Sequence, residues 1–419
     1  MNKPILVFQA PIATRSGYGD HSRDILKSLF ELDTYDIKIV PTRWGNTPQD
    51  QLDPQSEFGE MVLKNIITQL NQQPDIFIQV SVANEFKKVG KYNIGITAGV
   101  ETTIAPAEFL QGGNQMDLII TPSQFTKEVL TTTTFTQMDS KTKQKTGELE
   151  LKTPVEVLYE GVDTTIFNSK SSQSILESVD SNFNFLFVGH WLAGDLGQDR
   201  KDIGMMIKTF CTVFKDVPKT KQPGLILKTS SAGFSVGERE GIADKIKQVT
   251  EEFGTKCPPI HLVFGDLSPT ELNSLYNDEK VKAMLMFTKG EGYGRPLAEF
   301  ATTGKPILVS NWSGFTDFLP KENTVYLDGS LTPVHKSAQN KFLLADAKWF
   351  TVDYSKAAQK IFDVHKNYNS YLVKSKGLKT NIVNNFTIDT QTSVLKGILD
   401  KYVKVQTKVE LKLPKINKI

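Results

Sequence analysis

Through most of its length the chain alternates short apolar runs with stretches whose apolar residues recur every three or four positions. The short runs predict strands at residues 5–9, 37–40, 75–80, 93–99, 117–122 and 155–161. Between the first two, Ile25, Leu26, Leu29 and Phe30 share one face of a helix, and another helix is expected near 61–70. The alternation resumes at FNFLFVGHW (183–191), passes through a helix carrying Ile203, Met206, Ile207, Phe210, Val213 and Phe214, and reaches strands at LILKTS, at IHLVF and at 282–287. Helices near 354–368 and 387–402 end it. Strands and helices in steady succession imply a parallel sheet with helices on both faces.

Two stretches break the pattern. Residues 131–153 turn polar and read as a surface hairpin or insertion, and the polar run SKSSQSILESVDSN (169–182) reads as a connection between domains. A chain of 419 residues is too long for one ordinary core. The expected division is 1–170, 171–385, and a terminal segment 386–419 that returns toward the first domain. The last part, YVKVQTKVELKLPKINKI, is lysine-rich and reads as an added strand or a basic tail.

The most informative stretch is MLMFTKGEGYGRPLAEFATTGKPILVSNWSGFTDFL (284–319). It predicts a strand, a glycine-rich turn at 290–294, a helix near 296–303 and a strand at 306–310. Such a unit aims helix N-terminal amides beyond the strand's carboxyl end, where anions bind. Glu291 and Glu299 bracket the turn. Amides suit phosphate oxygens and carboxylates suit sugar hydroxyls, so a nucleotide sugar fits this turn. The alternative is a plain glycine turn with two surface carboxylates.

EGYGRPLAEFATTGKPI resembles the signature of the retaining family 4 glycosyltransferases of GT-B fold, in which Glu, Gly, aromatic and Gly are followed by Pro and a second Glu. The sequence departs from it at Arg295, where an aliphatic residue is usual, and at Phe300, where Ala is usual. The resemblance implies an α/β, GT-B architecture: two Rossmann-like domains with parallel sheets facing a central cleft. The first would serve the acceptor and the second the nucleotide sugar. It implies that Glu291 contacts the donor sugar and Glu299 the nucleotide ribose, with Gly292, Tyr293, Gly294 and Arg295 forming the donor-side turn. YEGVDTTIFN (159–168) resembles the family's exit from the first domain. By the same resemblance Arg200, before a helix, and Lys228, at a strand end, clamp the diphosphate, and Gly265, Asp266 and Leu267 hold the base.

In the first half, Gly17, Tyr18 and Gly19 follow the first strand. They lack the third glycine of a dinucleotide fingerprint, so NAD is a poor fit. In the resembling enzymes this loop faces the donor phosphates; the alternative is a turn that caps a helix. Glu101, in GVETTIAP, would stand near the reacting carbon or else serve as a helix N-terminal carboxylate. Arg43 and Trp44 are acceptor-side candidates, Trp44 equally a core residue. RSGYG, IVPTRWGNTP and GITAGVETT together look like a subgroup met in bacterial viruses, which adds hydroxymethylated DNA bases to glycans and lipids as acceptors.

Composition trims this reading. The net charge of +2 requires neither nucleic acid nor a membrane surface. Two cysteines, Cys211 and Cys257, are too few for a disulfide framework and read as reduced core thiols. The sequence has no Asp-x-Asp triplet and its histidines are scattered, so no metal or other cofactor is expected. The apolar run before Pro11 is too short for a leader, and no segment has the roughly 20 apolar residues that span a bilayer, so a cytoplasmic protein is expected (host cytoplasm if viral). The expected activity is retaining transfer from a nucleoside diphosphate sugar. The competing readings are a GT-B protein that only binds nucleotide sugar or glycan, and an epimerase or hydrolase that turns over donor without acceptor.

Overall fold

The computed structural model describes residues 3–170, 174–231 and 235–404; most of the lysine-rich terminal segment lies outside them. The first domain contains β1 (Ile5–Ala10), α1 (Gly17–Leu32), β2 (Asp36–Pro41), α2 (Glu57–Asn65), β3 (Ile76–Val80), β4 (Tyr92–Ile96), α3 (Ala107–Gly113), β5 (Leu118–Thr121) and α4 (Gln124–Thr132). After these come β6 (Phe135–Met138), β7 (Lys145–Leu149) and β8 (Val155–Val157). Six of the strands form a parallel sheet in the order β2-β1-β3-β4-β5-β8. The polar stretch 131–153 is an antiparallel hairpin of β6 and β7.

The second domain runs through β9 (Asn184–Val188), α5 (Ile203–Phe214), β10 (Gly224–Lys228), α6 (Val236–Thr250), β11 (Ile260–Val263), α7 (Pro269–Asn277) and β12 (Val281–Met286). It continues with α8 (Arg295–Ala301), β13 (Ile307–Ser310), β14 (Val325–Leu327), β15 (Gly329–Pro333), β16 (Lys348–Val352), α9 (Tyr354–Lys366) and α10 (Tyr368–Asn385). Its parallel sheet has the order β11-β10-β9-β12-β13-β14. The chain enters each sheet at an interior strand, β1 or β9, and builds outward on both sides. Each sheet therefore has a topological switch point at that strand's carboxyl end, where a crevice opens.

Local sequence accounts for the starts of these elements. Ser16 caps α1 by accepting from the Gly19 amide, and Ser268 with Glu271 forms a capping box ahead of Pro269 at the start of α7. The helix expected at 61–70 instead begins at Glu57, capped by Ser56, and ends at Asn65, because Ile66 leaves it to bridge Ile39. Helix α10 was not expected. Its sequence is mostly polar, and Leu378 and Ile382 are its buried apolar anchors.

The two cores are separate. In the first, Leu6, Phe8, Ile39, Ile78, Ile94 and Ile120 are fully buried, and in the second Phe185, Phe187, Ile226, Met284, Leu308 and Phe210 are. The last helix, α11 (Ile388–Tyr402), packs on α1 and places Leu395 and Leu399 in the first core. The outgoing and returning connections run side by side, with the Val162 amide on Phe386 O at 2.8 Å and the Ile388 amide on Val162 O at 3.2 Å. Cys211 and Cys257 are free thiols. Among the described residues no helix is long and apolar enough to cross a membrane.

Because Leu395 of α11 is wholly enclosed by first-domain residues, Leu395→Ala should cost about 2–5 kcal/mol, read as a lower urea midpoint. A midpoint equal to the parent's would mean that α11 is not part of that core.

Candidate functional site between the two sheets

The turn that follows β12 lies against the loop that follows β4. A Cβ on Gly290 would overlap the Glu101 carbonyl oxygen, and one on Gly292 would overlap that of Ala98. Glycine is thus required at both places for the two backbones to meet. The contact is sealed by Ser123 Oγ donating to Gly292 O at 2.6 Å and by the Gln124 amide donating to Asp317 Oδ2 at 2.7 Å. Further out, Thr103 exchanges two hydrogen bonds of 2.9 Å with Lys348 of β16.

Charge gathers where these loops meet. Arg200 Nη1 donates to Gly290 O at 2.8 Å and to Glu291 Oε2 at 3.0 Å, while its Nε lies 2.9 Å from Glu101 Oε2 in the first domain. Lys201 pairs with the other Glu291 oxygen, to which Thr288 Oγ1 also donates at 2.6 Å. Burial alone would lift the Glu291 carboxyl, but Lys201 and Arg200 bring it down to about 2. Glu101 is raised by burial, against the pull of Arg200. Glu291 is therefore a fixed anion at any neutral pH.

A second buried ion pair holds the cations in place. Asp202 ends their turn in the left-handed region, at φ 53°, and accepts from Lys289 Nζ at 3.0 Å and from the Tyr354 hydroxyl at 2.8 Å. The Lys289 amide donates to Arg200 O at 2.7 Å. The strand end that carries Glu291 thus grips the turn that carries Arg200 and Lys201 through both side chain and backbone.

Beside this cluster, at the carboxyl ends of β9 and β10, stand His190 and Lys228. His190 Nδ1 lies 3.0 Å from Ser230 Oγ, and burial followed by Lys201, Lys228 and Arg200 lowers its pKa to about 4, so the ring is neutral. Lys228 Nζ donates to Gly265 O at 2.7 Å, and its pKa is lowered by burial and then by Arg15. Arg15 comes from the loop after β1, where it holds Asp50 at 2.8 Å and also pairs with Asp266 of the second domain. Leu267 packs on the second core.

The remaining candidates take other places. Glu299 does not join Glu291: its Oε1 accepts from Arg295 Nε at 2.9 Å and its Oε2 from the Tyr276 hydroxyl at 3.3 Å. Tyr293 lies in the second core with its ring centroid 4.7 Å from that of Phe318. Gly294 caps α8. Gly17 and Gly19 lie in the first turn of α1, and between them Tyr18 stacks on Trp44 at 4.0 Å while its hydroxyl accepts from the Ala98 amide at 2.9 Å.

The structure thus unites Glu101, Arg200 and Glu291 in one cluster, and Lys228, Gly265 and Asp266 in its neighbour. It adds Lys201, His190 and Arg15, which sequence reasoning passed over. Adjacency to Arg200 was the available signal for Lys201, and membership of RSGYG for Arg15. His190 carried none beyond standing at a strand end. Among the described residues no group of three or more His, Cys, Asp or Glu side chains is placed to hold a metal ion.

No protein-family model matches this chain, and no curated protein matches its sequence. Solved structures do resemble it. A glycosyltransferase from Rickettsia africae ESF-5 has TM-score 0.62 at 12% identity, over 97% of this chain and 100% of that one. Sucrose-phosphate synthase from Thermosynechococcus elongatus has TM-score 0.60 at 11% identity, over 96% and 99%. HepE from Anabaena, solved in complex with UDP and glucose, has TM-score 0.55 at 13% identity, over 95% and 100%. The fold is that of the GT-B glycosyltransferases: two Rossmann-like domains whose parallel sheets face a cleft.

The Glu291 cluster has a measurable signature. A carboxyl held at about 2 in the folded chain against 4.5 unfolded contributes stability that is complete above pH 4.5 and lost as pH falls toward 2, on the order of 3 kcal/mol. Glu291→Gln should therefore flatten the acid limb of the stability profile, followed by urea denaturation between pH 2 and 5. An acid limb as steep as the parent's would sink the assignment.

Proposed function

We propose that this chain is a retaining glycosyltransferase, of the family 4 type, that moves a sugar from a nucleoside diphosphate sugar to an acceptor hydroxyl. The observation that carries it is the convergence of Arg200, Lys201 and Lys228 on the crevice at the ends of β9 and β10, facing Glu291 and, across the cleft, Glu101. Cations and carboxylates side by side suit a ligand that is phosphate at one end and sugar at the other. HepE, solved with UDP and glucose, makes UDP-glucose the first donor to try.

In this reading the bond between the anomeric carbon and the diphosphate oxygen breaks, and its electron pair goes to the departing phosphate. The fixed cations meet the charge that develops there, each lowering the barrier by about 3 kcal/mol. With its Nε and Nη1 held by Glu101, Gly290 and Glu291, Arg200 acts there, like the two lysines, as a fixed positive charge. The ionised Glu291 accepts from donor sugar hydroxyls. The acceptor oxygen attacks from the face the diphosphate leaves, and its proton passes to that phosphate, so the configuration is retained without a strong protein base. Meeting of the two domains keeps water from the donor. Glu299 takes the ribose, and Gly265 to Leu267 border the base. The acceptor is a glycan, a lipid or a hydroxymethylated DNA base. The setting is cytoplasmic, and no metal is needed.

A thermal-shift panel of UDP, GDP, ADP and their common sugar conjugates tests this. A ligand at a hundred times its dissociation constant adds about 2.7 kcal/mol to the folded state, a shift of several degrees. One nucleotide should raise the midpoint, and Lys228→Ala should remove most of that rise; no shift with any of them would overturn the reading. Release of nucleotide from the conjugate only in the presence of an acceptor separates transfer from mere binding and from donor hydrolysis.

A further inference from the structure

Arg295 opens α8 and stands where the resembling signature has an aliphatic residue. Its Nε donates to Glu299 Oε1 at 2.9 Å, its Nη1 donates to Asp24 Oδ2 at 2.7 Å, and Glu160 Oε2 lies 3.6 Å away. These carboxylates have three origins. Glu299 is one turn along α8, Asp24 belongs to α1 in the first domain, and Glu160 lies in the connection that follows β8. All three are buried. Burial raises each of them against the pull of Arg295, Glu299 to about 7 and Glu160 to about 8. Close by, both ring nitrogens of His21 are buried without a partner among the described residues, and Asp20 is tied to Arg23.

One guanidinium thus serves carboxylates on both sides of the domain boundary. Removing a partner from such a buried group leaves the others uncompensated, so what happens at one carboxylate is felt at the rest. We infer that Arg295 is a positioning residue that couples nucleotide occupancy at Glu299 to the docking of α1 through Asp24. This rests on the reading of Glu299 as the ribose contact. Ribose hydroxyls donating to Glu299 favour its ionised form, which holds Arg295 in the orientation that grips Asp24. By reciprocity, an α1 docked through Asp24 keeps Arg295 and Glu299 ready for a ribose. The ligand class is a nucleotide with free ribose hydroxyls.

The test uses the full chain and calorimetric titration with UDP and 2′,3′-dideoxy-UDP, or the matching GDP pair if GDP is the nucleotide that binds. Arg295→Leu would strip three buried carboxylates of their cation, so the near-isosteric Asp24→Asn carries the test. The parent should bind UDP at least fivefold more tightly than its dideoxy counterpart, and Asp24→Asn should bring that ratio close to one, although residue 24 lies in the other domain. A purely structural role would weaken both ligands equally and leave the ratio as in the parent; that result, or no change at all, overturns the coupling. If the parent binds no nucleotide, the transferase reading fails, and small-angle scattering then decides the link between domains. A larger radius of gyration in Asp24→Asn supports it, and an unchanged one refutes it.

Discussion

The constraint on which the rest of the structure depends is the backbone contact between the turn after β12 and the loop after β4. Without side chains at Gly290 and Gly292, main chain meets main chain across the domain boundary. Everything charged in the cleft is arranged around that meeting. Glu291 sits between the two glycines and is thereby brought to Arg200 and Lys201. Glu101, whose own carbonyl lies against Gly290, is brought to the remaining face of the same guanidinium. The glycines of the motif act here less as a cradle for a ligand than as permission for two domains to touch.

Around this contact the molecule buries its ions in groups. Arg200 and Lys201 share Glu291, Lys289 and Asp202 pair in full burial, and Arg295 serves three carboxylates. Measured against apolar side chains of similar volume, buried pairs contribute little net stability, because desolvation offsets most of the attraction. What they supply is orientation: a mispaired arrangement leaves a bare charge out of water, so competing side-chain geometries are expensive. Each group also joins segments far apart in sequence. A site made this way is preorganised, as electrostatic stabilisation of a departing phosphate requires.

Much of this was legible in the sequence, and the limits of legibility have physical causes. The strands of both sheets other than β14 stood out because strands of a parallel sheet are short continuous apolar runs. Helix α10 escaped because so little of its surface is apolar. Glu101, Arg200 and Glu291 were each singled out through the resemblance of their motifs, but that they pair with one another was not legible. The partners of Arg295 did not, since Asp24 lies 271 positions away and only the folded chain brings them together. The departure at Arg295 was visible as an oddity of the motif, without any sign of what it contacts.

The path of α11 bears on how the protein comes into being. The helix supplies Leu395, Ile398 and Leu399 to a core whose other buried members were laid down before residue 160, so the second domain is in effect inserted within the first. On the ribosome the intervening sheet emerges whole and is free to fold while its predecessor still lacks a helix. The part of the chain made first is therefore finished last, and it must wait in an incomplete state, with apolar surface open along α1, for as long as synthesis of some two hundred residues takes. A chain that ends between α10 and α11 carries a complete second sheet beside a first domain that lacks its last helix.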